Sequence, residues 1–140
     1  MIYKIFENNT DYQSFHIDME EFLDAMDPSI GEQDAMQFSQ LNIAMSDNWE
    51  SLKVSYTQNE DCSAALPDIG IWKGASLILS EKAAEVLKPL ISEYGEFLPA
   101  ICEGNPHFVF NCLTNVDADK ATSKRVMEGE FFMDVEVLTF

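Results

Sequence analysis

Two periods of hydrophobic repetition alternate along the chain, and their alternation predicts its elements. Ile2-Tyr3-Lys4-Ile5-Phe6 is a short β-rich run that ends at the turn-forming Asn8-Asn9. Phe15, Met19, Phe22, Leu23 and Met26 then recur at helical spacing, and Asp27-Pro28 closes that segment. From Ser29 to Trp49 the pattern is weak and reads as mixed loop and short helix. Leu52-Lys53-Val54-Ser55-Tyr56-Thr57 alternates as a half-buried strand does, and Gln58 to Pro67 is a polar loop. Ile69-Gly70-Ile71-Trp72 and Ser76-Leu77-Ile78-Leu79 lean towards strand on either side of Lys73-Gly74.

The clearest helix spans about Ser80 to Tyr94. Ser80 stands at its N-cap, Gly95 at its stop, and Ala83, Val86, Leu87, Leu90, Ile91 and Tyr94 form the expected core face. Pro89 removes a backbone donor inside this stretch, so a kink or early break is expected there. Phe97–Cys102 and Phe108–Leu113 read as strands around the turn Glu103-Gly104-Asn105-Pro106. A polar connection from Asn115 to Lys124 leads to a final strand in which Met133, Val135 and Val137 alternate with Asp134 and Glu136. The expected architecture is α+β: a mostly antiparallel sheet packed with that one clear helix and a shorter N-terminal one. With 140 residues and no linker or repeat, a single domain over 1–140 is expected.

Charge changes the picture most. Twenty-five acids face eight bases, for a formal net charge of −17, while 46% of the residues are hydrophobic and 11% aromatic. The apolar content supplies a core and argues against disorder. The negative field repels nucleic acid and anionic lipid and steers basic partners inward. No apolar stretch reaches the length of a membrane span, and the N-terminus lacks the long apolar run of a signal peptide. A reduced cytoplasm is therefore the expected compartment, with Cys62, Cys102 and Cys112 as free thiols.

Catalytic chemistry finds little support. Cys102, His107 and Cys112 are spaced five apart, which is not the close pairing of structural zinc. Asp117-Ala118-Asp119 resembles the start of a calcium loop but lacks its glycine and terminal glutamate. No nucleophile motif and no phosphate-cradling glycine loop is present, so neither a metal nor a cofactor is expected. The acidic N-terminal third stands out instead: residues 1–52 hold eleven acids and one base, Lys4. Glu20, Asp24 and Asp27 fall at i, i+4 and i+7, with Asp18 and Glu21 beside them. Like charges on one helical face cost stability, so they make either a solvated face or a docking surface. Trp49 and Trp72 both border loop-like sequence; Trp72, with Asp68 nearby, is the expected exposed anchor.

Ser80-Glu81-Lys82-Ala83-Ala84-Glu85-Val86-Leu87, then Gly95-Glu96-Phe97-Leu98-Pro99, then Asn111 through Val116-Asp117-Ala118-Asp119 with Ser123, resemble a family of bacterial immunity proteins from polymorphic-toxin systems. That family was long known only as a domain of unknown function, and the resemblance spans about Pro67 to Phe140. It implies an α+β domain that binds and silences a toxin encoded beside it, often the C-terminal part of an Rhs-type or type VI secreted effector and often a nuclease. The family has no catalytic motif to carry over. Its members run on past the position of Phe140, so a C-terminal strand or helix is expected to be lacking here. The expected function is an immunity protein occluding the basic active-site groove of its toxin, with partner-binding residues Asp18, Glu20, Glu21, Asp24, Asp27, Asp68 and Trp72. The alternatives are a small hydrolase using carboxylates or a cysteine with His107, and an adaptor or chaperone for a secreted effector.

Overall fold

A computed structural model of the chain describes residues 5–26, 29–57, 65–117, 124–128 and 131–137, the last two stretches as backbone. The described residues fall into two compact units, one running from Phe6 to Thr114 and a smaller one made of Ile5 and the chain from Asn115 onward. In the smaller unit, β7 (Lys124–Glu128) and β8 (Phe131–Val137) form an antiparallel hairpin with two register shifts along it. The alternating run Met133, Val135, Val137 lies on β8; β7 before it begins where the expected polar connection ends and is not among the expected strands.

The larger unit is built on a six-stranded sheet. Its members in chain order are β1 (Ser14–His16), β2 (Leu52–Thr57), β3 (Ile69–Ile71), β4 (Ser76–Ser80), β5 (Gly95–Cys102) and β6 (Asn105–Cys112). Across the sheet the order is β1-β2-β5-β6-β4-β3, antiparallel throughout except for the parallel pair β2–β5. The sheet is thus mostly antiparallel and the fold class α+β, as the alternating patterns require. Glu103 and Gly104, both at positive φ, form the two-residue turn that joins β5 to β6, so Asn105 and Pro106 already belong to β6.

Alternation sorts the strand residues onto two faces. Leu52 and Val54, Leu98, Ala100 and Cys102, Val109 and Ile78 share one face with the main core. Over that face lie α1 (Met19–Asp24) and α2 (Glu32–Leu41), which contribute Phe22, Ala35 and Phe38. The other face carries Leu79 and Phe110, with Leu77, Phe97 and Phe108, under α3 (Glu81–Ile91).

Three expectations are corrected. Ile5 and Phe6 are not in a strand, and Ile2 to Lys4 lie outside the described residues. Phe15 is not helical but sits in β1 opposite Tyr56; the helix begins only after Asp18, whose carboxylate accepts from the Glu20 and Glu21 N–H groups. Helix α3 exists, starts after Ser80 and continues through Pro89 for two more residues, but its contact face differs from the expected one. Ala83, Ala84, Leu87 and Ile91 meet the sheet, whereas Val86 and Leu90 are 64% and 65% exposed and Tyr94 is exposed. More apolar positions are available than one face holds. Two alanines allow the helix to sit close, and Lys82 on Asp68 and Lys88 over the Phe97 ring hold its two flanks.

A polar staple ties the α1–α2 layer to the sheet. Asn42, left-handed at φ 54°, ends α2 and donates its side-chain amide to the Cys112 carbonyl at 2.7 Å. The Glu96 carboxylate of β5 accepts from Met45 N at 2.7 Å, Ser46 N at 3.1 Å and Asn111 Nδ2 at 2.8 Å. Asn111 Nδ2 also donates to the Ile43 carbonyl at 2.9 Å. Residues 42–46 are thus held on β5 and β6 by side chains that would otherwise be costly to bury.

At the two ends of the sheet the edges approach each other: β1 contacts β3, and the Phe15 ring lies against Gly70 so closely that a Cβ there would overlap it. Gly95 is as tightly fitted, since a Cβ would overlap the Asn111 carbonyl and stand 2.9 Å from Phe110 Cζ. Gly95→Ala is therefore expected to cost about 1–3 kcal/mol by overpacking. Gly31→Ser, at the open N-cap of α2, is expected to gain a few tenths of a kcal/mol. Equilibrium unfolding in urea checks both; equal midpoints for the two variants would contradict the fit at Gly95.

Candidate functional site

The largest concentration of unneutralised charge is the outer side of the α1–α2 layer. Phe22 fixes the inward side of α1, so Glu20, Glu21 and Asp24 point to solvent. Ala35 and Phe38 do the same for α2 and leave Glu32 and Asp34 outside; Asp47 and Glu50 are exposed where the chain enters β2. No lysine or arginine occurs between residues 5 and 52, and among the described residues no ion pair involves these acids. Glu20, Glu21, Glu32 and Asp34 stand in the first turns of their helices, where the helix dipole favours negative charge. Asp24 ends α1 without a basic residue in its last turn, so nothing local offsets it.

The structure brings Asp18, Glu20, Glu21 and Asp24 together on α1. Asp18 has a structural task as the cap, and Asp27 lies outside the described residues. Asp68 belongs elsewhere, at the start of α3. It accepts from Ser80 Oγ at 2.7 Å and pairs with Lys82 Nζ at 3.0 Å, while Ser80 in turn caps the helix at Ala83 N. The Ser80 hydrogen bond, then the Lys82 bond, hold the Asp68 carboxyl below the usual carboxylate range. Trp72 is not a free-standing anchor. Its ring contacts Phe22, Phe38 and Trp49 at centroid distances of 5.2, 5.6 and 6.5 Å, and Trp49 Nε1 donates to the Pro99 carbonyl at 2.9 Å. Both tryptophans complete the core between the helices and the sheet.

A second constellation, less accessible, lies on the same face of the sheet. Tyr56 of β2, Cys102 of β5 and His107 of β6 converge beneath Phe15. His107 Nδ1 is 3.2 Å from the Asn105 carbonyl, which only accepts, so Nδ1 carries the proton and Nε2 accepts from Tyr56 Oη at 3.0 Å. The Cys102 thiol and the Tyr56 hydroxyl influence each other's ionisation. Burial, then the neighbouring Glu103 charge, push the Cys102 thiol up, and the Tyr56 bond opposes them only in part. That is the reverse of what activates a nucleophilic cysteine. Cys102 and Cys112 are free thiols; Cys62 lies outside the described residues.

Sequence reasoning sets an unspecified cysteine beside His107 and misses Tyr56, which the structure places against His107. The signal available is parity: all three occupy inward positions of alternating strands, but only the register of β2 beside β5 reveals the adjacency. Among the described residues no group of three or more histidine, cysteine, aspartate or glutamate side chains is arranged to hold a metal ion, and no helix is long and apolar enough to cross a membrane. Of the proposed calcium-like run, Ala118 and Asp119 lie outside the described residues, as does Ser123. No protein-family model matches the chain, and no curated protein matches it.

Two outcomes follow from this geometry. Burial, then the negative charges of Cys102, Asp68 and Glu103, push the Tyr56 hydroxyl up to about 12. A pKa raised on folding favours the protonated form, so this contribution to stability is complete below pH 10 and is lost as pH rises through about 12. Tyrosinate absorbance of the native protein should show a late phase near pH 12 that Tyr56→Phe removes; its persistence in the variant would contradict the assignment. The second concerns salt. Raising ionic strength from about 0.01 to about 1 M shortens the screening length from about 30 to about 3 Å. Repulsion among the α1–α2 acids should then weaken and the thermal midpoint should rise; a falling midpoint in calorimetry would show that attractive pairs dominate.

Proposed function

We propose that this protein is an immunity protein: a non-catalytic inhibitor that binds and neutralises a toxic protein with a basic surface. The observation that carries the reading is the α1–α2 layer, in which six exposed or cap carboxylates from Asp18 to Asp34 stand, followed by exposed Asp47 and Glu50, with no basic residue among them. Such a face carries self-repulsion that a cationic partner would relieve. A nuclease groove, positive because it binds a phosphate backbone, is the complementary surface. The acids of α1 and α2 would lie where the phosphates lie, excluding substrate by occupation.

The resemblance of Ser80–Leu87, Gly95–Pro99 and the run from Asn111 to this toxin-immunity family supports the same reading. The structural roles of these residues belong to the scaffold, since Ser80 caps α3, while Glu96 and Asn111 form the staple. Such motifs mark a scaffold and leave the contact surface free to follow its toxin. Buried, protonated Cys102 gives no support to a cysteine hydrolase.

Co-expression with the product of the neighbouring reading frame tests the proposal. The expected outcome is a complex that survives purification and restores growth to cells that the neighbour alone arrests. A complex in which the neighbour keeps its activity would identify an adaptor instead. In stopped-flow measurements Glu20→Lys, Glu21→Lys and Asp24→Lys together should slow association about tenfold or more at low salt, with a smaller effect on dissociation. An association rate flat with salt and unchanged in this triple variant would place the contact away from α1.

A further inference from the structure

Polar side chains are rare in the interior of the larger unit, and three of the four buried ones meet at one place. Ser39 and Ser76 are 1% exposed and Asn111 is fully buried; the fourth, His107, belongs to the tyrosine–cysteine constellation. Ser76 and Asn111 are direct cross-strand partners on β4 and β6, on the face covered by α2. Ser39 of α2 reaches the same point from above, since its hydroxyl donates to the Lys73 carbonyl at 3.1 Å while Ser76 N donates to that carbonyl at 2.7 Å.

The orientation of the Asn111 amide is settled by its neighbours. Its nitrogen faces the Ile43 carbonyl and a Glu96 carboxylate oxygen, both of which only accept, so Oδ1 must turn the other way. There Asn111 Oδ1 and Ser76 Oγ both stand without a hydrogen-bond partner. Two buried polar atoms on adjacent strands, each short of a bond, are costly to leave dry unless something bridges them.

We propose that Ser76 and Asn111 form a binding site for one internal water molecule, with Ser39 lining it. Water suits both needs: it donates to Asn111 Oδ1, and it exchanges a second hydrogen bond with the Ser76 hydroxyl, which both donates and accepts. The chemistry favours a neutral ligand over a cation, because both oxygens of the one nearby carboxylate, Glu96, are already engaged by three N–H donors. The bound water joins α2, the turn before β4 and β6 into one network with the Glu96 staple.

A high-resolution crystal structure, together with rotating-frame Overhauser spectra in water, tests the assignment. The wild type should show one solvent peak within hydrogen-bonding distance of both Ser76 Oγ and Asn111 Oδ1, and a cross peak from the Asn111 side-chain amide protons to a long-lived water. Ser76→Ala should lose that cross peak while keeping the circular-dichroism spectrum of the wild type. A Ser76 hydroxyl bonded directly to Asn111 Oδ1 with no solvent between them would overturn the proposal, as would a cross peak that survives Ser76→Ala. If Ser76→Ala does not fold, the wild-type crystal structure decides.

Discussion

The attachment of the α1–α2 layer to the sheet depends on one half-buried carboxylate. Glu96 sits on the strand face that forms the main core, yet it is the acceptor for two backbone N–H groups of the segment following α2 and for the Asn111 amide. A carboxylate in that position is tolerable only when its lone pairs are used, and the segment after α2 keeps its irregular path only when its donors are used. Each solves the other's problem. Because α1 and α2 repel each other through their outer acids, the layer needs an attachment that apolar contacts alone would leave free to slide. Phe22 and Phe38 provide attraction without direction, and the staple provides direction.

The strands were the most legible part of the sequence. Period-two alternation is a local property, and Leu52–Thr57 coincides with β2. The expected strand Phe97–Cys102 starts two residues inside β5, and Phe108–Leu113 starts three residues inside β6 and ends one past it. Phe15 was illegible because a three-residue strand followed by a cap residue has the same apolar spacing as one longer helix; only pairing with Tyr56 separates the two cases. On α3, cap and length were readable, but rotation about its axis was not, because it depends on which of the surplus apolar positions meet the sheet, here Ala83, Ala84, Leu87 and Ile91.

The candidate sites divide in the same way. Unbalanced charge is visible in composition, and the inward apolar positions of α1 and α2 settle which way the acids face. What composition cannot supply is non-local pairing. Tyr56 joins Cys102 and His107 through a parallel neighbour more than forty residues away, and Trp72 enters the aromatic cluster through helices far back in the chain. The motifs that resemble an immunity family fall on caps and staples, so they speak about the scaffold more than about the surface that meets a partner.

The close approach of β1 to β3 has a consequence for the life of the protein at high concentration. An open sheet ends in two rows of unpaired N–H and C=O groups, and those rows are templates for adding strands from a second molecule. Here the end strands are three residues long and curl towards one another, with Gly70 allowing the Phe15 ring to close the gap. The six-stranded sheet is thereby shielded twice, by mutual repulsion between chains at long range and by short, curled end strands at short range. A side chain at residue 70 would prise that seam apart, and its first symptom would be fibrils or sediment rather than lost affinity.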